Sequence, residues 1–189
     1  MEDKKTVTIR LKPYLQEFYT GISGSTKANS SLRSFLGSII ILFIERIPRD
    51  YTPKLYTGEQ YFDVELKHYS HHTGPDIRGN VYINEFHFPK IERCLMEYFD
   101  SIFFTFMDQW TSNRTYSKSR VSNPKVNDGI LVFCRQHKIN YARYFECLKK
   151  KYYRERNQRM KLKNNSSNTI EEFIPTQVQN YVQLIMKFE

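Results

Sequence analysis

The chain has 189 residues and a net charge of +9, and 40% of its residues are hydrophobic, including 14 Tyr and 14 Phe. So many aromatic residues can form a buried core, which excludes wholesale disorder, and the length fits one domain with a small appendage. No apolar run is long enough to span a bilayer and the charged N-terminus does not resemble a signal peptide, so we expect a cytoplasmic protein with no membrane partner.

The N-terminal segment predicts a strand and two helices. Polar and apolar residues alternate over 6–11 as in a strand, Pro13 begins a short helix, and Gly, Ser and Asn predict a loop over 22–31. This order is similar to that of ribbon-helix-helix repressors, in which outward strand residues contact the major groove. The outward residues here are Thr6, Thr8 and Arg10. An ordinary core strand is the favoured alternative, because this segment has no basic excess.

The second helix is predicted over residues 32–47, where apolar residues follow helical spacing. Ser30 or Ser31 is the expected N-cap, and Pro48 ends the run. Periodicity alone does not separate this assignment from a buried strand over 39–43.

An antiparallel hairpin is predicted in the middle of the chain. Residues 61–69 and 81–86 alternate like strands, and Thr73 to Asp76 form a turn signal between them. Pro89 then begins a helix as far as Trp110, with a broad apolar stripe typical of a core helix.

The last third predicts helices. A polar stretch over 111–123 is a candidate linker, and Asn123 and Pro124 signal the start of a helix that ends near His137. A second helix restarts at Asn140, and a third amphipathic helix over 178–188 follows an Asn/Ser-rich linker. We therefore predict a predominantly helical α+β fold with a core domain over residues 1–112 and a basic helical module over 113–189.

The positive charge is concentrated in that module. Residues 1–100 carry 13 Lys/Arg and 13 Asp/Glu, whereas residues 114–163 carry 15 Lys/Arg and three acids, a net charge of +12. Positive charge concentrated in one segment is typical of surfaces that bind polyanions, although a solvated helix face is the simpler alternative.

The plan of an apolar helix, a turn at 138–140 and a basic helix resembles a helix-turn-helix, whose second helix contacts the major groove. An ordinary helical hairpin is the alternative, and the turn lacks a Gly. Lys and Arg side chains neutralise phosphates, and Arg143 or Gln158 has the chemistry to contact base edges. The candidate nucleic-acid-binding residues are Arg143, Lys149, Lys150, Lys151, Arg154, Arg156, Gln158 and Arg159.

Catalytic and metal motifs are not evident in the sequence. Cys94, Cys134 and Cys147 are widely spaced, so neither a disulfide framework nor a zinc site is expected. A cluster of His68, His71 and His72, with His87 further along, suits a His/Tyr-type nickase only weakly, because the His-hydrophobic-His triplet is missing. We expect no cofactor, no metal and no enzymatic activity.

Two segments resemble small uncharacterised proteins of Bacteroidetes phages and mobile elements. They are the opening run from Val7 to Leu15 and the helical pair from Asn127 to Arg156. The resemblance implies a phage or mobile-element setting and transfers no catalytic residue. We therefore expect a DNA-binding regulator or accessory factor, with RNA left open, that dimerises through its C-terminal helix. The alternative is a phage structural or assembly component with a basic face.

Overall fold

Two units make up the chain, Met1–Lys149 and Lys150–Glu189. A computed structural model describes residues 5–23, 28–30, 34–48, 52, 54–66, 81–112 and 126–165. The domain boundary that the sequence predicts near residue 112 falls inside the first of these units. The predicted turn at 73–76 and the predicted helix at 178–188 lie outside the described residues.

The described elements form an α+β fold in which helices predominate, as the sequence predicts. In chain order they are β1 (Lys5–Arg10), α1 (Pro13–Ser23), β2 (Ala28–Ser30), α2 (Phe35–Phe43), β3 (Ile44–Arg46), β4 (Tyr61–Leu66), β5 (Val81–Ile83), a 3₁₀ turn (Glu85–His87), α3 (Phe88–Ser112), α4 (Val126–Gln136) and α5 (Tyr141–Asn165). Helix α5 begins in the first unit and continues into the second.

The strands of the first unit form two small sheets. Strand β4 is central in the order β1-β4-β2, antiparallel to β1 and parallel to β2, and β3 pairs with β5 in a separate antiparallel sheet. The predicted hairpin is therefore wrong, because β4 and β5 lie in different sheets. The register sets Val7 opposite Val64 and Ile9 opposite Phe62, so the buried side chains of β1 and β4 share one face.

This pairing also decides between the two interpretations of the N-terminal strand. Strand β1 is part of the core sheet, with Val7 and Ile9 buried, and the hydroxyl of Thr8 donates to Asp63 Oδ1 at 2.7 Å. The ordinary core strand is confirmed. The segment predicted as a loop over 22–31 contains the end of α1 and the short strand β2.

Helix α2 is shorter than the sequence predicts. It begins after Ser34, whose hydroxyl accepts a hydrogen bond from the backbone N–H of Gly37 at 3.1 Å, so Ser34 is the N-cap rather than Ser30 or Ser31. The helix ends at Phe43, because Ile44–Arg46 takes an extended conformation and pairs with β5.

Helix α3 is the core helix, as predicted. Its fully buried face repeats every four residues and comprises Ile91, Leu95, Phe99, Phe103 and Met107, each 0% exposed. Burying each of these side chains contributes about 1.5–3 kcal/mol before opposing entropy is counted. The outer members of the predicted stripe, such as Tyr98 and Ile102, are half-buried.

Helix α4 packs on α3 through aromatic rings. The Phe133 ring lies 5.0 Å from Phe103 and 5.4 Å from Phe106 between ring centroids. Gly129 permits this approach, since a Cβ there would lie 2.7 Å from Cδ1 of Trp110. This shared aromatic core packs α4 against α3 within the first unit.

Candidate nucleic-acid interface

The turn between α4 and α5 is closed by backbone hydrogen bonds that terminate α4. Ile139 N donates to Cys134 O at 2.8 Å and Lys138 N to Arg135 O at 3.4 Å, the two bonds of a Schellman motif. Lys138 takes the left-handed position with φ of 56°, where Gly is usual. Lys138 therefore occupies the position that Gly usually takes in such a turn, in a conformation that is strained for Lys.

The first turn of α5 is held by a carboxylate of the same unit. Asn140 is its N-cap, with Oδ1 accepting from Arg143 N at 3.2 Å, and the backbone N–H of Asn140 donates to Glu17 Oε2 at 2.6 Å. A negative charge here is favourable because helix N-termini are partly positive. In helix-turn-helix proteins the same turn contacts base edges, whereas here it contacts Glu17.

Two of the predicted site residues lie in the first unit, and each has an acidic partner. Arg143 Nη2 lies 2.6 Å from Glu59 Oε2, and this hydrogen bond raises the pKa of the arginine. Lys149 Nζ lies 3.9 Å from Glu146 Oε1 and 5.1 Å from the centroid of the Phe145 ring. To bind a phosphate, either cation must break its ion pair with the carboxylate or bind both groups at once.

A cleft of about 590 Å³ lies where α1, the start of β4 and the first turn of α5 meet. Its charged lining consists of two acids and two bases, Glu17, Glu59, Lys138 and Arg143. Burial and then the charge of Glu17 raise the pKa of Tyr144, which also lines the cleft. Because its charges balance, the cleft does not favour a polyanion.

The second unit carries the remaining six predicted residues on one helix. Residues 150–165 contain seven Lys/Arg and a single acid, Glu155, a net charge of +6. That acid accepts from Arg159 Nε at 2.8 Å. Lys150, Arg154 and Lys161 are exposed and have no acidic partner among the residues that the structure describes.

Helical geometry divides these residues between two sides. At 3.6 residues per turn, Arg154 and Lys161 lie within about 40° of Lys150 round the helix axis, and Gln158 lies within about 80°. We call these four exposed residues, Lys150, Arg154, Gln158 and Lys161, the basic face.

The other three predicted residues of this unit are not part of the basic face. Arg156 and Arg159 lie about 120° and 180° from Lys150, and Lys151 is half-buried. Sequence reasoning missed Lys161, although its spacing of i+7 from Arg154 and i+11 from Lys150 was available as a signal.

Most of the histidine cluster noted in the sequence lies outside the described part of the chain, and only His87 lies within it. His68, His71 and His72 lie outside it. His87 Nε2 lies 3.1 Å from Glu45 Oε1, and the Tyr82 hydroxyl donates to the other oxygen of that carboxylate at 3.0 Å. Within the described ranges, no three His, Cys, Asp or Glu side chains are grouped as metal ligands.

None of the described helices is both long and apolar enough to cross a membrane. Comparison of the chain with models of protein families, with curated proteins and with solved structures gave no match.

Proposed function

We propose that the chain is a non-enzymatic nucleic-acid-binding protein, with DNA as its first candidate partner, and that the basic face of α5 makes the contacts. The observation that carries this proposal is the net charge of +6 over residues 150–165, with its single acid paired to Arg159. Lys and Arg side chains at such spacing neutralise phosphates and release counterions, which supplies most of the affinity for any sequence.

We place the contacts in the middle of α5 rather than in its first turn. In the helix-turn-helix arrangement that the sequence suggests, Arg143 would contact bases, but its guanidinium lies 2.6 Å from Glu59. Gln158, next to Arg154 on the exposed side of the helix, has the chemistry to pair with adenine. On the resemblance of the segments from Val7 to Leu15 and from Asn127 to Arg156, we propose a regulator or accessory factor of a phage or mobile element.

A matched pair of triple variants tests this proposal. The first replaces Lys150, Arg154 and Lys161 by Ala. The control replaces three exposed cations of the first unit, Lys90, Arg93 and Arg135, by Ala, so that both proteins lose the same charge. Exposed ion pairs contribute about 0.2–1 kcal/mol each, so the first variant should lose about tenfold in affinity for a labelled mixed-sequence oligonucleotide.

Fluorescence anisotropy at fixed salt measures the affinity of both variants, and circular dichroism checks that both remain folded. The proposal requires near wild-type binding by the control. Equal losses in the two variants would mean that net charge alone attracts the nucleic acid. Polyglutamate that competes as well as an oligonucleotide of equal charge would favour a protein-interaction component with a basic face.

A further inference from the structure

Uncharged side chains of a particular kind lie among the cations of the basic face. Measured from Lys150 round the helix axis, Asn157, Tyr153 and Met160 lie at about 20°, 60° and 80° on the side opposite Arg154. Together with Lys150, Arg154 and Lys161 they cover an arc of about 120° that contains no acid. We call Tyr153, Asn157 and Met160 the uncharged stripe.

The large side chains of this stripe are exposed to solvent. Tyr153 is 40% exposed and Met160 is 52% exposed. The Tyr153 ring packs edge-on with the neighbouring Tyr152, with centroids 5.6 Å apart and planes inclined at 65°. This contact restrains an exposed ring that lies one turn or less from Lys150, Arg154 and Asn157. An exposed aromatic ring and a polarizable thioether between cations form a surface suited to flat, weakly polar groups.

We propose that the ligand of the basic face is an unpaired polynucleotide strand, with a base stacked on Tyr153 while Lys150, Arg154 and Lys161 neutralise the adjacent phosphates. This inference rests on the proposed nucleic-acid binding and names the form of its partner. Every unpaired base has an accessible ring face, and stacking on aromatic side chains beside a basic track is how proteins bind single strands without sequence preference.

A duplex cannot stack its bases on the Tyr153 ring of the uncharged stripe. Its base faces are covered by their neighbours in the stack, so a major-groove helix contacts base edges and phosphates instead. Cations alone would suffice for the phosphates of a duplex. The three cations span eleven residues, about 16 Å along the axis, which matches a short track of a few nucleotides.

Substitution of Tyr153 in the full chain tests the inference. Tyr153→Ala removes the ring. Because the loss of one stacking contact with a base weakens binding measurably, affinity for a single strand should fall about fivefold or more. Tyr153→Phe keeps the ring and should bind like the wild type. Phe86→Ala is the matched control, since Phe86 is 72% exposed in the first unit and also lies near a cation, Lys90 Nζ, at 5.3 Å from the ring centroid.

The probes are a mixed-sequence DNA strand of about 16 nucleotides, the RNA strand of the same sequence, and the DNA duplex. We expect both single strands to bind more tightly than the duplex, and the loss in Tyr153→Ala to be confined to the single strands. Tighter binding to the duplex, or single-strand binding that does not depend on the ring, would overturn this inference and leave the proposed function intact. Absence of binding to all three probes would instead refute the proposed function.

Discussion

Gly21 lies at the point where α1 comes closest to the turn between α4 and α5. Its replacement by Ala therefore tests the packing of α1 against this turn. A Cβ at Gly21 would clash with the carbonyl oxygen of His137 and would lie 3.0 Å from its carbonyl carbon. Cβ atoms essentially never approach within 3.0 Å of a non-bonded heavy atom, so the backbone of the turn must withdraw.

Three effects set the size of the change in stability. Ala in place of Gly favours the helix by about 1 kcal/mol. Overpacking costs about 1–3 kcal/mol. Withdrawal of the turn also lengthens the 2.6 Å bond from Asn140 N to Glu17, and a hydrogen bond to a charged group contributes about 1.5–3 kcal/mol. The net expectation is a decrease of about 1.5–5 kcal/mol in the free energy of unfolding.

Urea-induced unfolding followed by circular dichroism measures this decrease as a lower midpoint at constant slope. Ile22→Ala in the same helix is the control, because that side chain is 53% exposed and its loss should change stability by less than about 1 kcal/mol. A Gly21→Ala variant that is as stable as the wild type, or more stable, would refute the close approach of α1 and the turn.

Three further predictions concern α4 and the turn that follows it. Lys138→Gly should stabilise the protein by up to about 1 kcal/mol in the same urea experiment, because the left-handed backbone strains any residue with a Cβ; a loss of stability would show that the lysine side chain itself stabilises the turn. Burial raises the pKa of Cys134 to about 11, so near pH 8 a thiol reagent should modify the exposed Cys147 rapidly and Cys134 only on unfolding; equal rates in the folded protein would contradict this. Burial lowers the pKa of His137, so the unfolded chain binds the proton more readily and stability should fall as the pH drops from about 7.5 to 5.5. A His137→Gln variant should lose part of that pH dependence, and an unchanged pH dependence in the variant would show that other groups cause it.

Local patterns in the sequence predict the helices well, because the signal of a buried helix face lies within a few turns. Helix α3 is the clearest case, since Ile91, Leu95, Phe99 and Phe103 of its apolar stripe are buried. The flanking members of the stripe are half-buried. The end of α2 was not predictable in this way. Its apolar run continues from Phe43 into Ile44, and the change to a strand comes from pairing with β5, whose residues lie almost 40 positions further on.

Strand pairing was the main failure, because it depends on contacts between distant residues. Two alternating segments next to each other along the chain suggest a hairpin, yet β4 pairs with β1 and β2 instead. Strand β2, Ala28–Ser30, is three small or polar residues long and has no alternation to detect. Its pairing with β4 is a property of the tertiary structure.

The candidate site was predictable in its location and not in its details. Charge counting identifies α5, and helical spacing separates Lys150, Arg154 and Lys161 from Arg159. The sequence does not reveal that Arg143 pairs with Glu59, 84 positions earlier along the chain. That pair holds the exposed guanidinium of Arg143 next to an acid of the same unit.

The salt dependence of binding tests the central claim most directly. Affinities of the wild type and of the Lys150/Arg154/Lys161→Ala variant for a mixed-sequence oligonucleotide should be measured between about 50 and 200 mM salt. If the three cations neutralise phosphates, the slope of log affinity against log salt should be shallower in the variant by about 2 for a single strand, or nearly 3 for a duplex. Parallel slopes for the two proteins would contradict the claim that the basic face of α5 binds nucleic acid.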